Sequence, residues 1–214
     1  MASAGHDKLI NVWDVFNPRV QSLGYCKGHK NAILDLTWDH ESDSQEPPRI
    51  HSCSADKTLV SWNSFDFSKI RTFKGHEDVV NSLDVSYPMQ DSKKDDESSD
   101  SISYKLDCDM LASGSNDGTV KLWDFRERRY SASFTVGYQI TTVAFSKGND
   151  ILFFSGVDNT IRGLNLRKRQ IEYSLVGHMD TVTGIQLSPS GTRLLSNGMD
   201  NTVRVWDVQP YSSA

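Results

Sequence analysis

"DNTVRVWD" (residues 200–207) is the last of five related stretches: "DKLINVWD" (7–14), "DKTLVSWN" (56–63), "DGTVKLWD" (117–124) and "DNTIRGLN" (158–165) precede it. In each, an Asp opens a tight turn and the sixth residue after it is Trp, or Leu in the fourth copy. The turn aspartates Asp7, Asp56, Asp117, Asp158 and Asp200 stand 49, 61, 41 and 42 residues apart. The last two spacings define a unit of 41–42 residues, and the first two are the same unit carrying extra loop. A second marker precedes the Asp–Trp stretch: Gly-His at 28–29, 75–76 and 177–178, with Gly137–Tyr138 in the matching place of the fourth unit.

Within a unit the period is that of strands. "TVKLWD" and "TVRVWD" alternate apolar and charged residues, as half-buried strands do. "VTGIQLSPSGTRLLSNGMDNTVRVWD" (182–207) reads as strand, Ser-Pro-Ser-Gly turn, strand, tight turn, strand, and stretches such as "YSASFTV" (130–136) and "IEYSLV" (171–176) add a fourth strand before the next marker. The spacing predicts four short strands per unit and no helix. A four-stranded sheet cannot cover its own faces, so the units must stack on one another. Radial stacking leaves only short edges, and the expected fold is an all-β propeller.

Composition narrows the function. The chain has 214 residues, 37% of them hydrophobic, with five Trp and nine Phe, enough for a substantial core. "MASAGHDKLI" (1–10) has neither the basic nor the apolar region of a signal peptide, and apolar runs such as "ILFF" (151–154) are too short to span a bilayer. Cys26, Cys53 and Cys108 are scattered, match no zinc spacing and suit a reduced, intracellular setting. The net charge of −5 argues against wholesale binding to nucleic acid. With no phosphate-binding glycine loop, no metal cluster and no isolated pair of acids, no enzyme, cofactor, small-molecule substrate or membrane partner is expected.

The Gly-His…Trp-Asp signature at this period resembles the WD40 repeat family over nearly the whole chain. "GSNDGTVKLWDFR" (114–126), "YQITTVAF" (138–145) and "LSNGMDNTVRVWDVQPY" (195–211) are similar, more narrowly, to the WD-repeat subunits of the spliceosomal U5 snRNP. That family is seven-bladed and docks beside a large Prp8-type scaffold. The resemblance implies a non-catalytic protein-interaction scaffold, nuclear, in the spliceosome and pre-mRNA splicing.

It also implies a structural tetrad in each complete unit: His29, Ser52, Asp56 and Trp62; His76, Ser113, Asp117 and Trp123; His178, Ser196, Asp200 and Trp206. The carboxylate accepts from the imidazole, the imidazole meets the hydroxyl, and the hydroxyl accepts from the indole N–H. A buried indole donor left unpaired would cost about 1–3 kcal/mol. The first unit retains only Ser3, Asp7 and Trp13. Ser, His and Asp in contact also invite a hydrolase reading. Three copies of a catalytic triad in one small domain make little sense, however, and a buried hydroxyl tied to an indole has no route to a substrate. The fourth unit has Tyr138 for the His, Phe154 for the Ser and Leu164 for the Trp, keeping only Asp158. It is either a blade held by apolar packing alone or one freed to meet a partner.

Propeller topology places the Asp turns and Gly-His markers on one face, here the turn face. The first-to-second and third-to-fourth strand loops lie on the opposite, loop face. In the resembling family, partners contact the turn face through the third and fifth residues after the His and the residue before the Asp. Carried over, these are Ala32, Leu34 and Ala55; Val79, Asn81 and Asn116; Thr181, Thr183 and Met199; in the fourth unit, realigned on its strand, Gln139, Thr141 and Val157; and His6 in the first unit. Only His6 is ionisable, and an uncharged rim suits a protein partner more than phosphate. The loop face carries "RERR" (126–129) and "RKR" (167–169), read as a solvated rim or, more sharply, as a secondary RNA contact without stacking aromatics. An acidic, Ser-rich insertion at roughly residues 88–109, containing "DSKKDDESSD", is expected to be a loosely held loop open to phosphorylation.

The chain is therefore expected to be one propeller segment over 1–214, with repeats near 1–27, 28–74, 75–136, 137–176 and 177–214. The first opens at a second strand and the last closes after a third. About five of seven blades are present, so an incomplete, open arc is predicted. The rival reading is a substrate adaptor of a ubiquitin ligase or another multiprotein complex. Such adaptors present an arginine-lined pocket on the turn face, and this rim lacks one.

Overall fold

Each turn aspartate is followed by a residue in the left-handed region: Lys8 (φ 65°), Lys57 (71°), Gly118 (73°), Asn159 (63°) and Asn201 (59°). Four of the aspartates hold that turn themselves. Asp7, Asp56, Asp117 and Asp200 accept through Oδ1 from the backbone N–H two residues on, at 3.2, 3.1, 2.9 and 3.0 Å. The computed structural model describes residues 1–16, 19–39, 48–86, 110–125, 127 and 129–209. The insertion at 88–109 and the arginines at 126 and 128 lie outside them.

These turns order five antiparallel sheets, with no helix among the described residues. The first holds β1 (Ala2–Ala4), β2 (Leu9–Asp14) and β3 (Gln21–Lys27), and the second β4 (Ile33–Trp38), β5 (Arg49–Ser54), β6 (Thr58–Asn63) and β7 (Lys69–Lys74). The third holds β8 (Val80–Val85), β9 (Met110–Ser115), β10 (Thr119–Asp124) and β11 (Tyr130–Thr135). The fourth comprises β12 (Ile140–Phe145), β13 (Ile151–Gly156), β14 (Ile161–Asn165) and β15 (Gln170–Leu175), and the fifth β16 (Val182–Leu187), β17 (Arg193–Gly198) and β18 (Val203–Asp207).

Each core cluster joins two consecutive sheets, with the Trp side of a sheet facing the sheet before it. Trp62 packs with Ile10 and Val12, Trp123 with Leu59 and Phe73, Leu164 with Val120 and Leu122, and Trp206 with Phe153 and Ile161. Among the described residues neither strand pairing nor a core cluster joins the fifth sheet to the first, so the five blades form an open arc. The far face of the fifth sheet shows this directly. Leu195, Val203 and Val205 are 47, 68 and 62% exposed, whereas Ala112, Val120 and Leu122 at the same positions of the third sheet are 0, 0 and 4% exposed.

Side chains also tie the inner strands to one another. Asp35 Oδ2 on β4 accepts from Ser82 Oγ (2.9 Å) and Leu83 N (3.1 Å) on β8. Ser82 Oγ in turn accepts from Val143 N on β12 (3.4 Å), and Thr142 Oγ1 on β12 accepts from Ile185 N on β16 (3.1 Å). Asp84 Oδ2 accepts from Phe145 N at 2.7 Å. The four strands line a cleft of about 430 Å³. Burial, and behind it the neighbouring Asp35, pushes the Asp84 carboxyl up to about 7. Asp35 is likewise raised by burial, against the pull of its hydrogen bonds to Leu83, Ser82 and Leu36.

Candidate functional site: the turn face and the relays beneath it

The repeated polar residues meet in three near-identical relays. His29, His76 and His178 lie with Nδ1 at 2.9, 2.8 and 2.8 Å from Oδ2 of Asp56, Asp117 and Asp200. Their Nε2 atoms are 2.8, 2.7 and 2.7 Å from Oγ of Ser52, Ser113 and Ser196. Each Oγ accepts from an indole, Trp62, Trp123 or Trp206, at 2.8 Å. Each carboxylate can only accept, which places the proton of the neutral imidazole on Nδ1 and leaves Nε2 to accept from the serine hydroxyl. The same carboxylates accept the backbone N–H after each His, from Lys30, Glu77 and Met179 at 2.8, 2.9 and 3.0 Å.

Burial depresses the His76 imidazole, opposed by Asp117. Burial alone would raise Asp117, but bonds from Thr119, the Glu77 amide and His76 outweigh it and hold the carboxyl at about 2. In the first sheet only the indole step remains, with Trp13 Nε1 donating to Ser3 Oγ at 2.9 Å. The three relay serines are at most 1% exposed and already engaged, so the relays are built to hold strands in register. Among the described residues no group of three or more His, Cys, Asp and Glu is placed to hold a metal ion.

The fourth blade is not held by apolar packing alone. Arg162, which the sequence reading passes over, donates to both Tyr138 OH and Asp158 Oδ2, and its guanidinium sits 5.2 Å from the Tyr138 ring centroid. Leu164 is smaller than the indole it replaces. Gly156 lets the Tyr138–Gln139 backbone come close, for a Cβ there would lie 1.9 Å from Gln139 O. An ion pair over an aromatic ring thus takes the place of the relay. Burial, then Asp158, raises the Tyr138 hydroxyl to about 12.

The structure brings the rim positions together in pairs. The residue before each turn Asp donates its N–H to the third residue after the His: Ala55 to Ala32 (3.0 Å), Asn116 to Val79 (2.9 Å), Val157 to Gln139 (3.2 Å) and Met199 to Thr181 (2.8 Å). The fifth residues, Leu34, Asn81, Thr141 and Thr183, each fall at a register shift of the inner strand, where a bulge re-aims a side chain. They do not share one role. Asn81 Nδ2 donates to Asn116 Oδ1 and to Ile140 O of the next blade, both at 2.7 Å, and Thr141 Oγ1 donates to Val182 O. Those two side chains are spent on holding blades together. Leu34 and Met199 are 43 and 61% exposed, and Gln139, Val157 and Thr183 are exposed as well.

A further relay escaped the sequence reading because it occurs once. His51, fully buried, meets Ser61 Oγ through Nδ1 (2.7 Å) and Asp39 Oδ1 through Nε2 (2.6 Å), and its ring lies 4.8 Å from that of Phe125 in the next blade. Ser61 is 1% exposed, so this Ser–His–Asp set is again a brace.

Comparison with known proteins agrees with this architecture. The family described as "WD domain, G-beta repeat" matches residues 20–63, 98–124 and 169–207. The pre-mRNA-splicing factor cwf17 of Schizosaccharomyces pombe is 37% identical over 214 residues, covering 100% of this chain and 56% of that protein. The U5 small nuclear ribonucleoprotein 40 kDa proteins of Dictyostelium discoideum and Homo sapiens are 33 and 36% identical, over 83 and 90% of this chain and 44 and 47% of their own lengths. The chain thus spans about half the length of the curated relatives it matches. With its period, turns and relays repeated blade by blade, the chain belongs to the WD40 family of WD-domain, G-beta repeats.

Proposed function

We propose that the chain is a non-catalytic protein-interaction scaffold of the spliceosome, acting in the nucleus in pre-mRNA splicing as part of the U5 snRNP. The observation that carries this reading is the likeness to a splicing factor along the whole chain at 37% identity. The uncharged rim supports a protein as the main partner, and a Prp8-like scaffold is the partner we favour. The docking residues in this reading are Leu34, Gln139, Thr183 and Met199, all exposed, with the half-buried Val79, Asn116 and Thr181. Asn81 and Thr141 serve the blades instead. Affinity purification of the tagged chain at low salt, followed by mass spectrometry, should recover U5 and other splicing proteins. Recovery of ubiquitin-ligase subunits without splicing proteins would overturn the reading.

A further inference from the structure

The basic "RKR" stretch plays no part in the scaffold reading. Asn165 Oδ1 accepts from the backbone N–H groups of Arg167 (3.0 Å) and Lys168 (2.9 Å), which fixes the loop after β14. Asn165 Nδ2 and Lys168 Nζ both reach Glu172, at 3.0 and 2.7 Å. Arg167 and Arg169 are exposed and make no ion pair among the described residues. The same face continues into neighbouring loops. Leu166 N donates to Asp150 O at 2.9 Å, which joins this loop to the one holding Lys147. Lys147 Nζ donates to Pro189 O at 3.1 Å, which joins that loop to the one leading into the exposed Arg193. The acids nearby are Asp150, Glu172 and Asp207. Asp150 accepts from Ser146 Oγ and Asp207 from the Gln209 N–H, while Glu172 is taken by Lys168.

We infer that the loop face of the fourth and fifth blades binds the phosphate backbone of an RNA duplex through Arg167, Arg169, Lys147 and Arg193. Cations drawn from three loops form a strip rather than a pocket, which fits an extended polyanion. Guanidinium forks match phosphate oxygens two at a time. The loops at 146–150, 166–169 and 188–193 contain no Phe, Tyr or Trp on which an unpaired base could stack. Contact is therefore with the shape and phosphates of a paired helix, not with splayed bases. The strip stands on its own geometry; the choice of RNA over DNA rests on the splicing reading.

Fluorescence anisotropy of the purified full chain with a labelled 16-base-pair RNA duplex, across a salt series, tests this. Arg167→Gln/Arg169→Gln/Arg193→Gln should weaken binding at least tenfold at low salt and lower the salt slope by about three, one for each phosphate no longer neutralised. Lys168→Gln, whose ammonium is already held by Glu172, should bind as the wild type does. All four residues are exposed, so melting temperatures should not move. Equal binding by the wild type and the triple variant would overturn the proposal. So would competition by polyglutamate as strong as by unlabelled RNA, or equal affinity for a DNA duplex of the same length. Because the assay contains no splicing protein, its failure is distinguishable from failure of the scaffold reading.

Discussion

Arg162 lies over the ring of Tyr138 with its guanidinium carbon 5.2 Å from the ring centroid, and the same guanidinium pairs with Asp158. Asp158 Oδ1 is buried without a hydrogen-bond partner. Arg162→Met would remove the group that compensates this carboxylate and should cost about 1–3 kcal/mol. Asp158→Ala removes the uncompensated oxygen along with the pair and should cost less. Urea denaturation of both variants checks the order, and a reversed order counts against the ion pair as the brace of this blade.

Asp117→Ala leaves the buried His76 without its acceptor and the Glu77 N–H without its partner. A loss of about 1–3 kcal/mol is expected, larger than for Asp158→Ala. Thermal melts of the two alanine variants make the comparison.

Asp84 gives stability a pH dependence of unusual sign. Its folded-state carboxyl is raised to about 7, so between roughly pH 4 and 7 the folded chain holds a proton that the unfolded chain has released. Stability contributed there is present at the low end and falls as pH rises. Asp117 acts the other way: its depressed carboxyl contributes stability above pH 4 that is lost as pH falls towards 2. The depressed His76 imidazole slopes the opposite way, so the Asp84 contribution is read as the wild-type urea midpoint minus that of Asp84→Asn, a difference that should shrink from pH 4 to 8. Asp84→Asn is less stable throughout because one amide N–H loses its acceptor.

On the rim, Thr183→Arg and Met199→Arg alter exposed positions and should reduce co-purified splicing protein while leaving the melting temperature within a few degrees. Asn81→Arg should instead destabilise the fold, since it breaks the bond to Ile140 O. If Asn81→Arg leaves stability intact, its side chain is free to serve a partner after all.

Much of this fold is legible in the sequence because it is written several times. The Asp-to-Trp spacing is dictated by one turn and one strand, so every copy reports the same geometry, and His76, Ser113, Asp117 and Trp123 meet within hydrogen-bonding distance. What occurs once is not legible in this way. Arg162 has Lys121 and Arg204 at its matching positions, and in sequence all three read as ordinary outward-facing charges of a half-buried strand. His51 has no counterpart in the other units. Asn81 and Thr141 fall with the exposed rim when read by position alone, because sequence gives their place on the strand but not the carbonyl of the next blade that claims them. For the site, the sequence identifies the face, and packing decides which of its residues remain available.

The ties between inner strands run forward along the chain, and this sets a timetable for synthesis. Asp35 is complete only when Leu83, 48 residues later, has been made, and Thr142 waits 43 residues for Ile185. Ser82 and Asp84 wait longest, 61 residues each, for Val143 and Phe145. At about 5–20 residues per second on the ribosome, that last interval is roughly 3–12 s. Each blade leaves the ribosome holding out acceptors for a neighbour not yet made. The acidic insertion before β9 lengthens the interval over which the third blade's acceptors, Ser82 and Asp84, stand without their donors.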